Sequence, residues 1–409
     1  MAAPPDFTTK PGRIESKEQA HLEVVHPPGP FRLQAAHMKD PRDIPPRDWI
    51  YGTHLVRNYV TLLVAAGGTG KSSLVLALCV SIAINRPLLG VKIHEQCNTA
   101  LLNLEDPEEE VDRRLAALGK YYNVNDTDLA GRFFMSPADQ TVTIASASED
   151  GFEVIHPDQN AIIDRVLREN IGVLAVDPFA ESHSLEENSN PQMVKAAAAW
   201  RRVARLGNCA VLLCHHVRKG VIESIEAARG AKALSDSARV GLLLTPMVEA
   251  EAEGLGIPAD ERLSYVRLDD AKANLAPRAG TASWFHLNTV ALDNGTEKHP
   301  HGDSVGVIER WRPESPLENL STADCNLALD RIAAGMENGD AYTWAKQSKR
   351  WGGRVLCDLF GKTDGQAAEI IRIWLANKVL FQDRKWTGSR NSRGALRVNE
   401  VNRPGTSYD

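Results

Sequence analysis

The stretch LLVAAGGTGKSSLVLAL, residues 62–78, is an apolar run broken by three glycines and one lysine, and it limits what the chain can fold into more than any other segment. An apolar strand that turns through glycines into an apolar helix aims backbone N–H groups at an anion, and the helix directs its positive end at the same charge. Against the pattern G-x-x-x-x-G-K-[ST], Gly70, Lys71 and Ser72 match, while Ala65 stands where the first glycine belongs. Gly67, Gly68, Thr69, Gly70, Lys71, Ser72 and Ser73 are therefore the expected nucleotide-binding set. In it Lys71 reaches the β- and γ-phosphates of ATP and Ser72 holds Mg2+. No G-x-G-x-x-G fits here, so a dinucleotide loop is excluded. A loop that grips a triphosphate serves pumps, kinases, switches and motors alike.

The segments YVTLLVA, TALLNL, GVLAVD, AVLLCHH, ARVGLLLT and LSYVRLD read as strands, several of them nearly continuous apolar runs, and TASWFHLN reads as part of an added hairpin. Runs of that kind are buried on both faces, and their alternation with helical patterns predicts an α/β fold with a mostly parallel sheet. The Pro-rich, aperiodic residues 1–45 predict a disordered tail, residues 46–312 the α/β domain, and residues 318–401 a small basic domain. In that last region three helical patterns followed by two strands suggest a winged helix. The apolar run at residues 74–84 is too short to span a bilayer, so it reads as a buried helix and no membrane association is expected. Six cysteines without a C-x-x-C pair, and no signal peptide, point to a cytoplasmic location. A net charge of −6 argues against a wholly basic nucleic-acid coat but permits local basic patches.

Two carboxylates stand at strand ends, where ligands bind in such sheets. Glu105 closes TALLNLE and is placed to polarise an attacking water, or alternatively to cap the helix that follows; for Asp106 the cap is the preferred role. Asp177, at the end of VLAVD, is suited to hold Mg2+ through water, with a turn residue as the alternative. His215 and His216 close the next strand. Adjacent strand residues point to opposite sides, so at most one faces the nucleotide, and no third ligand at metal spacing supports a zinc site.

Taken in order, LLVAAGGTGKSSL, LNLEDPEEEVDRRL, VLAVDPF, LLCHHVRKG, ARGAKALSDSARVGLLL and RLDDAKANLAP resemble the RepA-like hexameric helicases of plasmids and phages, within the RecA-type ATPases. The resemblance spans roughly residues 45–295. It implies a RecA-like sheet, a homo-oligomeric, six-membered ring, and ATP hydrolysis stimulated by single-stranded DNA. It implies Glu105 as catalytic base, Asp177 as the metal-holding carboxylate and the His215-His216 end as sensor. It places an arginine that completes the neighbouring subunit's site within ARGAKALSDSARV, with Arg239 ahead of Arg229. Such an arginine is worth about 10³ to 10⁵ in rate. Lys272 is expected to be a lesser contributor or a surface ion-pair partner. In rings of this type the stretch at residues 217–230 faces the channel, where Arg218 and Lys219 would meet DNA phosphates.

In the C-terminal region Lys385, Arg390 and Arg393, around Trp386, suit a nucleic-acid backbone, and duplex DNA is the expected partner there; a protein-docking module is the alternative. The function expected from the whole is a DNA helicase or translocase of plasmid, phage or mobile-element replication. A non-motor DNA-binding ATPase of the RecA or KaiC kind is the second reading, and a small-molecule kinase the third.

Overall fold

The computed structural model describes residues 33–148, 154–217, 231–276, 282–386 and 392–405. The chain divides into two compact units, Met1–Pro46 and Arg47–Asp409. The described part of the first holds one 3-10 turn, Pro41–Asp43, whose Asp40 side chain accepts the Arg42 N–H at 2.9 Å, and it buries no residue. The rest of the expected tail, residues 1–32, lies outside the described residues.

The second unit opens with a short hairpin, β1 (Trp49–Tyr51) and β2 (Leu55–Val56), followed by β3 (Val60–Ala66), the glycine loop and α1 (Lys71–Ala83). Then come β4 (Asn98–Asn103), α2 (Glu108–Tyr122), α3 (Asp126–Leu129), β5 (Phe133–Met135), the small pair β6 (Ser146–Ala147) and β7 (Val154–Ile155), and α4 (Gln159–Arg168). Next are β8 (Ile171–Asp177), α5 (Asn190–Leu206), β9 (Ala210–Val217), α6 (Ala231–Ser237), β10 (Val240–Pro246) and α7 (Glu249–Leu255). The strands β11 (Tyr265–Ala273), β12 (Ser283–Ala291) and β13 (Ser304–Trp311) complete a nine-stranded sheet ordered β13-β12-β11-β10-β3-β9-β8-β4-β5.

From β10 to β5 every pairing is parallel, and β11, β12 and β13 extend the sheet antiparallel, the last two as a hairpin. The six sequence-predicted strands are β3, β4, β8, β9, β10 and β11. Every residue of β8 is buried because helices cover both faces: α1 lies over one, α4 and α5 over the other, where Trp200 is fully enclosed. The helix α1 is apolar all round and buried along most of its length, as expected, and no described helix is long and apolar enough to cross a membrane. All six cysteines are free thiols.

Register sets the height of the hairpin relative to the glycine loop. Leu244 is level with Ala65, Pro246 with Val266, and Val266 with Phe285. Residues 286–291 of β12 therefore run on past the carboxyl edge of the parallel strands, beside the loop.

The C-terminal segment supplies the expected three helices and hairpin. They are α8 (Thr322–Ala334), α9 (Gly353–Phe360), α10 (Asp364–Ala376) and the antiparallel pair β14 (Leu380–Trp386) and β15 (Ser392–Val398). Ser321 with Asp324, and Thr363 with Gln366, form capping boxes that start α8 and α10. Leu329, Ile332, Trp351, Leu356, Ile370 and Trp374 make a core separate from those of the large sheet.

This segment is seated on the sheet domain through α7, in one compact unit. The Thr363 hydroxyl donates to the Glu253 carbonyl at 3.2 Å, and Lys346 pairs with the Glu253 carboxylate at 3.1 Å. A Cβ on Gly365 would stand 2.5 Å from the Glu253 carbonyl oxygen and 2.7 Å from the Gly254 Cα, so only glycine lets the first turn of α10 approach α7. Gly365→Leu should push the two helices apart, since such overpacking against backbone costs about 1–3 kcal/mol. Limited proteolysis of the 312–321 connector should then accelerate, whereas Gly254→Ala, whose added Cβ meets nothing within 4 Å, should leave it unchanged.

Candidate nucleotide site

The glycine loop joins β3 to α1 in the middle of the sheet, with β10 and β9 on either side of β3. Ala65, at the place of the missing glycine, is fully buried inside β3, where its methyl belongs to the core shared with α1. Gly68 and Gly70 adopt φ of 80° and 77°, which L side chains rarely take. A Cβ on Gly67 or Gly68 would meet nothing within 4 Å, so the loop rim is open to a ligand, while one on Gly70 would strike Leu287 of β12 at 2.6 Å. The Thr69 hydroxyl closes the loop on the Ala66 carbonyl at 2.8 Å. The N-cap of α1 is Gly70, with no side-chain cap, so the first-turn N–H groups of α1 are turned to the open rim. These features fit a phosphate chain.

Lys71 is 3% exposed and its ammonium is paired directly with Asp177 Oδ1 at the end of β8. The intervening strand β9 lies between β3 and β8. Burial pulls the Lys71 pKa down, while Cys214, Glu105 and Asp106 oppose the shift. The Cys214 thiol, pushed up to about 12 by burial, is a neutral neighbour. Ser72 and Asp177 supply the hydroxyl and carboxylate oxygens that suit Mg2+ together with phosphate oxygens and water. When bound, that ion would neutralise phosphate charge. Among the described residues no group of three or more His, Cys, Asp or Glu comes together to hold a metal ion. The Ser73 hydroxyl donates to Gly306 O at 3.2 Å and accepts from the Ile308 N–H at 3.1 Å, so β13 takes that side chain and only the Ser73 backbone is left for a nucleotide.

Glu105 lies two residues beyond β4, which ends at Asn103, and its exposed carboxylate stands 3.5 Å from His216 Nε2. It caps no helix. Asp106, expected as the cap, does not serve as one either: Pro107 is the N-cap of α2, and Asp106 forms an ion pair with Arg114 at 2.5 Å. The i,i+8 reach across two turns of α2 was invisible to a rule that looks for a cap at the first turn.

The two histidines separate as β-strand geometry requires. His216 shares the α1 side of the sheet with Cys214 and faces Glu105, whereas His215 is buried on the α5 side against Phe179, with ring centroids 6.3 Å apart. Burial, then the nearby Lys71 ammonium, lowers the His216 pKa, and Glu105 opposes them. Of the two, it is therefore His216 that stands beside Glu105 and the Lys71 side of the sheet.

Sequence reasoning passed over His183, whose ring packs on Phe179 at 4.7 Å and whose Nδ1 accepts the Leu185 N–H at 3.2 Å. A histidine outside any motif carries no signal of this. Burial lowers its pKa, with Glu187 opposing and His215 adding to the effect.

Arg239 precedes β10; its N–H donates to Val60 O at 3.3 Å and its side chain is exposed. It therefore sits at the amino edge of the sheet, a full strand length from the loop. Lys272 lies at the same edge, opposite Gly241, with Nζ donating to Ser235 O at 2.6 Å. Arg218, Lys219, Arg229 and Arg390 lie outside the described residues. Lys385 and Arg393 face each other in the β14–β15 register, and their side chains are likewise outside the description.

Two measurements check the site. Glu105→Gln should keep nucleotide affinity, read with a fluorescent ATP analogue, and lower phosphate release by about 10²–10⁴, the usual contribution of a general base. Because the folded-state pKa of His183 lies below its ordinary 6.5, the unfolded chain takes up a proton first. The stability this residue contributes is full above pH 6.5 and is lost as pH falls through the lowered folded value, so the urea midpoint should drop over that window and His183→Phe should flatten the drop.

Among solved structures, the chain is similar to the crystal structure of the RadB recombinase at 13% identity, covering 57% of this chain and 89% of that one, with a TM-score of 0.37. Residues 27–221 match the family model described as AAA domain.

Proposed function

We propose that the protein is a ring-forming, DNA-stimulated ATPase of the RepA-like helicase type, hydrolysing ATP with Mg2+ between neighbouring copies of the chain. In this reading water attacks the γ-phosphorus and its proton passes to Glu105. The bond from that phosphorus to the β,γ-bridging oxygen breaks, and ADP leaves with the electron pair. His216, beside Glu105, feels the loss of the γ-phosphate at the start of the segment that would contact single-stranded DNA.

The observation that carries the reading is the placement of Arg239. β3 runs from Val60, which Arg239 touches, to Ala66 at the loop. At about 3.3 Å per residue the strand is roughly 20 Å long, well beyond the reach of an arginine side chain. An arginine completing a nucleotide site from that edge must serve a neighbour's nucleotide.

Contact with duplex DNA through residues 318–401 is supported by charge alone. Lys346 is engaged by Glu253 and Arg397 by Asp383 at 3.3 Å, while Arg331, Lys349, Arg354 and Lys378 are among the exposed cations of the helical part.

Native mass measurement should find a ring, six-membered if the resemblance holds, that forms or tightens with ATP and single-stranded DNA, and phosphate release should rise with the DNA. Separation of a forked duplex should require ATP and vanish in Lys71→Ala. A nucleotide-dependent ring that leaves the fork closed would favour the non-motor RecA or KaiC kind; a monomer that cleaves ATP briskly would end the ring reading.

A further inference from the structure

We propose that Arg201 and Arg205 of α5 join Arg239 in a three-guanidinium grip on the triphosphate bound by the neighbouring copy. The inference rests on the ring reading above and extends it, because it assigns the trans contact to two further residues on a different element.

Arg201 and Arg205 are four apart on α5 and so share one face of the helix. Arg201 Nη1 donates to Ser237 O at 3.5 Å, and Arg239 follows two residues later. The last turn of α6 collects cations because its terminal carbonyls lack partners within the helix: Ser237 O takes Arg201 and Ser235 O takes Lys272. Arg205 and Arg239 are exposed. All three guanidiniums stand towards the amino edge of the sheet, since α5 ends at Leu206 just before β9 begins at Ala210, and Arg239 immediately precedes β10.

Among the described residues no carboxylate is paired with any of the three. Burial, then the charges of Arg205 and Arg239, hold the Arg201 pKa below its ordinary value. Like charges gathered on one surface repel, and a compact polyanion relieves that repulsion. A nucleoside triphosphate places several negative charges within reach of one cluster, and more charge builds on the bridging oxygen as the phosphorus–oxygen bond breaks. Separate guanidiniums on α5 and at the start of β10 can meet the leaving and the transferred phosphoryl groups together.

The test is subunit mixing. Arg201→Ala/Arg205→Ala should still take up a fluorescent ATP analogue through its own loop, more weakly than the parent, and should release phosphate about ten- to hundredfold more slowly, as expected for lost charge-assisted hydrogen bonds. Lys71→Ala subunits keep their arginines, so mixing them with the double variant should restore turnover, as mixing with Arg239→Ala should. Parent-like turnover by the double variant, or a defect that mixing relieves only for Arg239→Ala, overturns the inference and leaves the ring reading standing. Failure of both mixtures, with the parent monomeric by native mass, overturns the two together. Fluorescence anisotropy with labelled single-stranded DNA provides the last arm: loss of strand affinity matching the loss of turnover would assign the cluster to DNA phosphates and overturn the inference, and unchanged affinity supports it.

Discussion

The charge pair between Lys71 and Asp177 is the contact on which the site is built. Two buried ions are tolerated in a protein interior only when each satisfies the other, and removing one partner typically costs about 3–5 kcal/mol. The pair forms because β3 and β8 both end at the carboxyl edge with β9 between them, so the first residue of α1 can reach across the top of one strand to the end of another. His216 is the penultimate residue of that middle strand, and Glu105 follows the strand beyond β8. Lysine, carboxylate, imidazole and the candidate base are thus neighbours because of strand order, although they are spread over residues 71–216.

Much of this was legible beforehand, for identifiable reasons. Strands buried on both faces must be apolar throughout, so IGVLAVD and AVLLCHH declared themselves, and the glycine loop has a pattern fixed by backbone dihedrals. What escaped depends on direction and on distant partners. Period-two alternation says that His215 and His216 diverge, but only the packing of α1 and α5 on opposite faces decides which of them meets Glu105. Asp106 looked like a cap because it precedes a helix, yet an arginine two turns later claimed it. The seat of α10 on α7 depends on the lack of a side chain at Gly365, and no local rule separates that glycine from a weak helix former.

The two edges of the sheet have opposite characters. At the carboxyl edge carboxylates, glycines and a buried lysine converge; at the amino edge guanidiniums collect around the end of α6. A molecule with complementary ends of this kind is suited to head-to-tail contact, and head-to-tail contacts close into rings when the rotation between copies permits. The polarity of the parallel strands builds that asymmetry into each copy, since loops carrying the ligand site cluster at one end only.

The hydroxyl of Ser73 anchors the backbone of β13, and Leu287 of β12 lies against Gly70. The same two strands carry Trp284 and Trp311, whose rings meet edge to face at 6.2 Å. Mechanical linkage of that kind makes the indole pair an internal optical gauge: a change in the first turn of α1 alters the surroundings of two fluorophores that need no label.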